Sequence, residues 1–273
     1  MERAEIARLT EINRRAWDVI AVVRGDGLHP GDLFAEGVAN LAAEELPISD
    51  WQGLDVLHLQ CASGEDTLSL ALVGAHVTGV DIAPQNIRHA RRKAETAGLA
   101  ARFVVADVYD LPPDLRAGTF DVVFVSCGAL CWLPDLDRWA AIVASALKLG
   151  GRLLMDEIHP LNGCLRVDGG RLAAVDDYFR RGRPQWNAAG PSCLAGTGAG
   201  DVMPESVEFR WPLGDVVTAI ARAGLRIELV EEYPSESPDG QAAEREVSRL
   251  PGGYVLLAAK DRESGQGASV SAR

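Results

Sequence analysis

The sequence predicts an α/β chain organised on a doubly wound sheet, and three observations predict it. Asp55 to Asp81 reads as strand, tight turn, helix, strand and then an acid, which is the βαβ unit of such a sheet. Phe120-Asp121-Val122-Val123-Phe124-Val125 is a short run apolar on both faces, as a central parallel strand should be. Between and after these, strand-length apolar runs alternate with helical patterns, the order that builds a parallel sheet.

In chain order, Arg3 to Val23 reads as a helix, with Ile6, Leu9, Ala16, Ile20 and Val23 at three- and four-residue steps. Arg24 to Gly31 is a loop in which His29-Pro30 reads as loop chemistry, not as an active base. Leu33 to Leu46 reads as a second helix that ends before Pro47. Val56 to Leu59 is the first strand, and the turn of Cys61, Ala62, Ser63 and Gly64 feeds a helix from Thr67 to Leu72 that stops at Gly74. Ala75 to Val80 is the next strand and ends on Asp81. Pro84 opens a helix that runs to Gly98, and its Arg88, Arg91, Arg92 and Lys93 read as a solvated face. Arg102 to Val105 is the third strand, followed by Ala106-Asp107-Val108. The fourth strand opens into Ser126 to Trp132. Asp135 to Leu147 is a helix closed by Gly150-Gly151, and Arg152 to Ile158 is the fifth strand, placing His159 at the sheet edge.

Geometry alone suggests a ligand. The first amides of the helix after Gly64 have no internal partner and, with the helix dipole, favour an anionic group. A carboxylate at Asp81 can accept bonds from vicinal ribose hydroxyls; otherwise it merely ends a strand in a helix-capping loop. A carboxylate at Asp107 suits an exocyclic amine, and Ile82 supplies an apolar wall. The expected ligand is therefore a nucleoside with an anionic group.

The pieces HLQCASGEDT, GVDIAPQNI, ADVYDLP and FDVVFVSCGALCWLPDL, within Gly53 to Pro160, resemble a class I S-adenosylmethionine-dependent methyltransferase. More narrowly, Leu57-His58-Leu59-Gln60-Cys61 is similar to the bacterial branch whose first strand reads LHLQC, relatives of which often modify secondary metabolites. The resemblance implies a mostly parallel seven-stranded Rossmann-like sheet whose final strand inserts antiparallel. It implies S-adenosyl-L-methionine as cofactor and S-adenosyl-L-homocysteine as product, held by Trp17, Gln60, Cys61, Ala62, Gly64, Asp81, Ile82, Asp107, Val108 and Ser126. The wider family carries three glycines in the first loop and an acid in the strand; this chain has His58, Gln60 and Ala62 there and keeps only Gly64. Asn13, Trp17, Phe34 and Gly37 match an N-terminal lid, with Trp17 either over the sulfonium or stapling the lid to the core. The loop to Trp132 would lie beside the transferred methyl, with Trp132 as acceptor wall or core indole. His159 is the candidate general base, with an ordinary imidazole pKa near neutrality. No N/D-P-P-Y motif is present, which favours a small-molecule acceptor.

Leu161 to Trp211 breaks the sheet pattern and reads as an irregular insertion covering the acceptor, with Trp186 among its contacts and a strand at Glu208 to Trp211. Leu213 to Ala223 is a helix, and Leu225 to Val230 and Gly253 to Ala259 are the last strands. Ser235 to Glu246 is a polar connection. The expected organisation is a helical lid over 1–50, a cofactor-binding core over 51–160, a substrate-covering insertion over 161–212, the rest of the sheet over 213–261 and a disordered tail over 262–273.

Composition bounds the partners. Across 273 residues the net charge is -12 and 47% of residues are hydrophobic, which suits one core and argues against nucleic acid or an anionic membrane. No apolar run reaches a membrane span, and the charged N-terminus is no secretory signal. Five cysteines (Cys61, Cys127, Cys131, Cys164 and Cys193) without a C-x-x-C pair argue against disulfides or zinc and for a reduced, cytoplasmic chain. Cys61, Cys127 and Cys131 read as packing residues. The expected reaction is direct methyl displacement onto an aromatic or heterocyclic metabolite, driven mainly by alignment. Two alternatives are a nicotinamide-dependent oxidoreductase, which needs three spaced glycines where only Gly64 stands, and a non-catalytic nucleoside-binding protein.

Overall fold

The structure is a computed structural model and describes residues 1–24, 31–168, 171–188, 204–234 and 249–261. The readings made for His29, Cys193, 235–246 and 262–273 fall outside the described residues. Seven strands form the central sheet: β1 (Asp55–Leu59), β2 (His76–Asp81), β3 (Ala101–Val105), β4 (Phe120–Ser126), β5 (Leu147–Ile158), and the last two, β10 (Leu225–Pro234) and β11 (Pro251–Lys260). Their order is β10-β11-β5-β4-β1-β2-β3, and β11 runs antiparallel to both β5 and β10 while the other neighbours are parallel. The doubly wound expectation holds, as does the antiparallel final strand.

Helices cover both faces. On one side α5 (Leu136–Ala146) and α6 (Leu213–Arg222) bury Trp139, Val143 and Ile220 against Val123, Val125 and Leu153. On the other, α3 (Glu65–Leu72) and α4 (Pro84–Ala97) bury Leu68, Ile87 and Ala90 around Phe103. Asp135 caps α5 by accepting from the Arg138 amide at 3.0 Å, and Pro84 sits in the first turn of α4, where its missing N–H is harmless. The turn before α3 depends on Gly64, whose φ is +86°. A Cβ there would also meet Ala90 Cβ at 2.8 Å, so the turn packs directly on α4.

Several expectations are corrected. Helix α1 spans Arg3–Arg24 and buries Ile6, Leu9, Ala16 and Ile20, but Val23 lies outside its inward stripe and is exposed. The expected helix over Leu33–Leu46 is only α2 (Gly31–Ala35) and a 3-10 turn at Ala43–Glu45; the left-handed Gly37 breaks it, and Ser69 Oγ takes the amides of Asn40 and Leu41. Gly150-Gly151 does not close α5: β5 begins at Leu147, and the glycines form a bulge in it. Lys93 does not belong to a solvated face. It is 2% exposed and pairs with Glu65 at the start of α3. The segment after His159 carries hairpin β6 (Leu165–Asp168) with β7 (Arg171–Ala174), and the pair β8 (Gln185–Asn187) and β9 (Ser206–Glu208), so the expected strand lies slightly earlier than Glu208–Trp211.

Candidate active site

A cavity of about 520 Å³ opens at the carboxyl ends of β1, β2, β3, β4 and β5. The sheet fixes its polar floor. Asp81 ends β2 and Asp107 follows β3, the neighbouring parallel strand, and both line the cavity. Asp81 is 8% exposed; its Oδ2 accepts from the Ala62 amide at 3.0 Å, and its Oδ1 from the Ala83 amide at 2.8 Å and Asn86 Nδ2 at 3.1 Å. It therefore caps the entry to α4 and faces the site at once. Burial pushes its pKa up to about 6 against the pull of these three donors. A carboxylate has roughly four acceptor positions, so one remains open and a second ligand hydroxyl has to share with an existing donor. Asp107 Oδ1 accepts from the Tyr109 amide at 2.9 Å. Ile82, Ala106 and the buried Val108 form the apolar wall between the two acids.

Gln60 adopts a left-handed backbone, φ +56°, and its Nε2 donates to the Ala129 carbonyl at 2.8 Å. Its Oε1 is buried and without a partner among the described residues. An acceptor orphaned at a cavity wall carries a desolvation penalty that a ligand donor removes. The donor set thus fits S-adenosyl-L-methionine: acceptors at Gln60 and Asp81 suit its ammonium and ribose groups, and Asp107 suits its adenine amine. At the start of α3, where an anion is expected, Glu65 and Asp66 stand in the first turn, with Glu65 on Ser63 and Lys93 and Asp66 on Asn40 and Ser126. Ala62 and Ser126 line the cavity, whereas Cys61 and Gly64 do not; Cys61 packs with Phe34 and Phe103. Phe34 is likewise core, and Phe34 and Gly37 stay outside the cavity.

His58, where the resemblance leads one to expect an acid, sits behind the wall. Ser126 Oγ donates to Asp66 Oδ2 at 2.7 Å, so His58 Nε2 donates to Ser126 at 3.2 Å and its Nδ1 accepts from Thr67 at 2.8 Å. Burial lowers the imidazole to about 4, which keeps it neutral in this relay.

The loop after β4 is held from β5. Glu157, a buried residue that the pattern of the strand does not single out, accepts amides from Gly128, Ala129 (2.9 Å), Leu130 (3.1 Å) and Ile158 (2.8 Å). This permits the left-handed Cys127, φ +29°, and Gly128. Cys127 lines the cavity and is exposed there, not packed as expected, and partial desolvation of its thiol, with neighbouring carboxylates, pushes it up to about 11. Cys131 also lines the cavity.

Aromatic side chains build the upper walls. Trp17 and Trp132 meet edge to face at 5.1 Å, and Arg24 lies over the Trp17 ring at 5.5 Å. Phe209 and Trp211 complete them, and Tyr254 of β11 lines the cavity from the sheet. Trp186 is corrected: strand alternation turns Gln185 toward the cavity and Trp186 outward, 43% exposed beneath Arg8. The roof is pinned by Asn13, whose Nδ2 donates to the Val207 carbonyl at 2.8 Å and whose Oδ1 accepts the Val207 amide at 2.9 Å. His159 reaches the cavity with both nitrogens engaged. Nδ1 accepts from the Leu161 amide at 3.2 Å, which puts the proton on Nε2, 3.0 Å from Glu232 Oε1. Burial lowers its pKa despite that carboxylate. A base role therefore requires it to release Leu161.

Among the described residues no group of His, Cys, Asp and Glu suits a metal, and no helix is long and apolar enough to cross a membrane. A family model described as a methyltransferase domain matches residues 56–151. A demethylmenaquinone methyltransferase of Thermus thermophilus is 34% identical over 175 residues, covering 62% of this chain and 74% of that protein. A ubiquinone biosynthesis O-methyltransferase of Xanthomonas axonopodis is 34% identical over 124 residues, 45% of this chain and about half (51%) of that protein. A crystal structure of an S-adenosylmethionine-dependent methyltransferase from Mesorhizobium loti has TM-score 0.60 at 23% identity, covering 78% of this chain and 93% of that one.

Proposed function

Because the chain belongs to the S-adenosylmethionine-dependent methyltransferases, we propose that it transfers the methyl group to a small-molecule acceptor, an aromatic or heterocyclic metabolite, within the bacterial secondary-metabolite branch. The observation that carries this reading is one cavity shared by two halves. Acids after two adjacent strands and an orphaned Gln60 oxygen lie on one side, and Trp17, Trp132 and Phe209 on the other. The relatives named for quinone substrates support a small acceptor. The membership displaces the nicotinamide alternative.

In this reading Gln60, Asp81, Asp107, Ile82 and Val108 hold the cofactor, which supplies a methyl on a sulfonium that is already a good leaving group. The chain's task is then alignment, and effective molarities for well-aligned groups reach ~10⁵ M or more. Glu157 fixes the loop that separates cofactor from acceptor, and Trp132 stands at the boundary. The described parts of 1–50 and 161–212 supply the cover, contributing Trp17 and Phe209, and exclude water during transfer. His159 serves as general base only through Nδ1, on release of the Leu161 amide, with Glu232 holding Nε2.

The test is titration calorimetry with S-adenosyl-L-homocysteine. The wild type binds, and Asp81→Ala weakens binding by at least tenfold while retaining its melting transition. Equal affinities would remove Asp81 from the site. A wild type that binds cofactor but turns over no small aromatic acceptor would instead favour the binding-protein alternative.

A further inference from the structure

The cavity's sheet edge holds one polar group that the cofactor reading leaves unused. Tyr254 lies on β11, directly opposite Glu157 of β5 in the antiparallel register. It is 1% exposed and lines the cavity. Its ring is fixed: His159 meets it edge on at 6.2 Å, and it packs in the core with Leu256 and Ala258. No described residue provides a hydrogen-bond partner for its hydroxyl. The hydroxyl is not sealed off as a buried orphan, so a molecule in the cavity it lines can supply the partner that buried tyrosines normally find.

The carboxylate and imidazole beside it are already committed. The Glu157 oxygens take four amides, and both His159 nitrogens are engaged. Burial, Glu157 and two nearby tyrosines push the Tyr254 pKa well upward, so the hydroxyl stays neutral and keeps its proton. The same cavity is lined by Trp132, Phe209 and Trp211. A planar ring stacked there brings a ring substituent to the sheet edge.

We propose that Tyr254 is the acceptor-orienting residue, donating its hydroxyl proton in a hydrogen bond to an oxygen substituent on a planar aromatic acceptor. The inference rests on the methyltransferase reading of the cavity and narrows its acceptor to oxygen-substituted aromatics. An acceptor lacking that oxygen leaves the hydroxyl unpaired and is disfavoured on that account.

The test uses two isosteric probes, 2-naphthol and 2-methylnaphthalene, and protein saturated with S-adenosyl-L-homocysteine, with affinities read by ligand-observed NMR titration. Wild type should bind 2-naphthol at least fivefold more tightly than 2-methylnaphthalene. Tyr254→Phe should abolish that preference and leave homocysteine-cofactor affinity within twofold of wild type. Equal affinity of the two probes for wild type overturns the proposal without any variant, as does failure of 2-naphthol to bind. An unchanged preference in Tyr254→Phe overturns it equally. Failure of wild type to bind S-adenosyl-L-homocysteine is a different result, and it removes the methyl-donor reading itself.

Discussion

Asp81 is a carboxylate with two tasks at one position, and its titration follows from them. Burial raises its pKa to about 6, so the group is charged above that value and protonated below it. A protonated carboxyl loses acceptor capacity toward hydroxyl donors. Cofactor affinity should therefore be flat above pH 7 and fall about tenfold for each pH unit below 6, the limit for a site that binds only the charged form. Binding favours the carboxylate and so releases a proton near pH 6, which calorimetry in buffers of different ionisation enthalpy detects. Asp81→Asn should bind weakly and show no such dependence; a wild-type affinity unchanged from pH 5 to 8 would contradict the role. Asp81 and Asp107 were legible because a strand followed by an acid is a local pattern. Gln60 and Ser126 came only through resemblance. Glu157 and Tyr254 stayed hidden, since their meaning depends on a β5·β11 pairing that joins residues about a hundred positions apart and that no local periodicity encodes.

At the scale of elements, α3 and α4 are joined by an ion pair that their amphipathic patterns do not announce. Lys93 falls among arginines on a helix that looks basic and wet, yet it reaches across to Glu65 and is almost wholly buried. Removing one partner of a buried pair leaves the other charge stranded, which costs about 3–5 kcal/mol. Lys93→Ala should lower stability by about that amount in urea or thermal unfolding, whereas Arg88→Ala should change it by under ~0.5 kcal/mol as an ordinary surface substitution. Equal effects of the two would return Lys93 to the solvated face. Strands and their order were readable because apolar runs bounded by turns are strong signals. The second N-terminal helix was misread because Gly37 and the Ser69 contacts override a helical composition. Hairpin β6–β7 and strand β8 were missed, and β9 was read slightly late, because strands of three or four residues carry too few alternations to register.

At the scale of the molecule, cofactor and fold are thermodynamically linked. A ligand that binds only the folded chain at a hundred times its dissociation constant stabilises it by about 2.7 kcal/mol. For a domain of this size, S-adenosyl-L-homocysteine at that excess should raise the melting temperature by about 5–10 °C, measurable by differential scanning fluorimetry, and NADH at the same concentration should not. A shift with NADH and none with S-adenosyl-L-homocysteine would reverse the cofactor assignment. The doubly wound sheet was readable because its central strand β4 is largely apolar and buried on both faces, whereas the edge strand β3 is only partly buried.

The amide of Asn13 bonds both backbone groups of Val207, 194 positions further along. One small side chain thus sutures the beginning of the protein to its most distant insert, as a rung would join two strands. Replacing Asn13 by alanine removes both halves of that stitch at once and leaves the Val207 backbone groups without these partners.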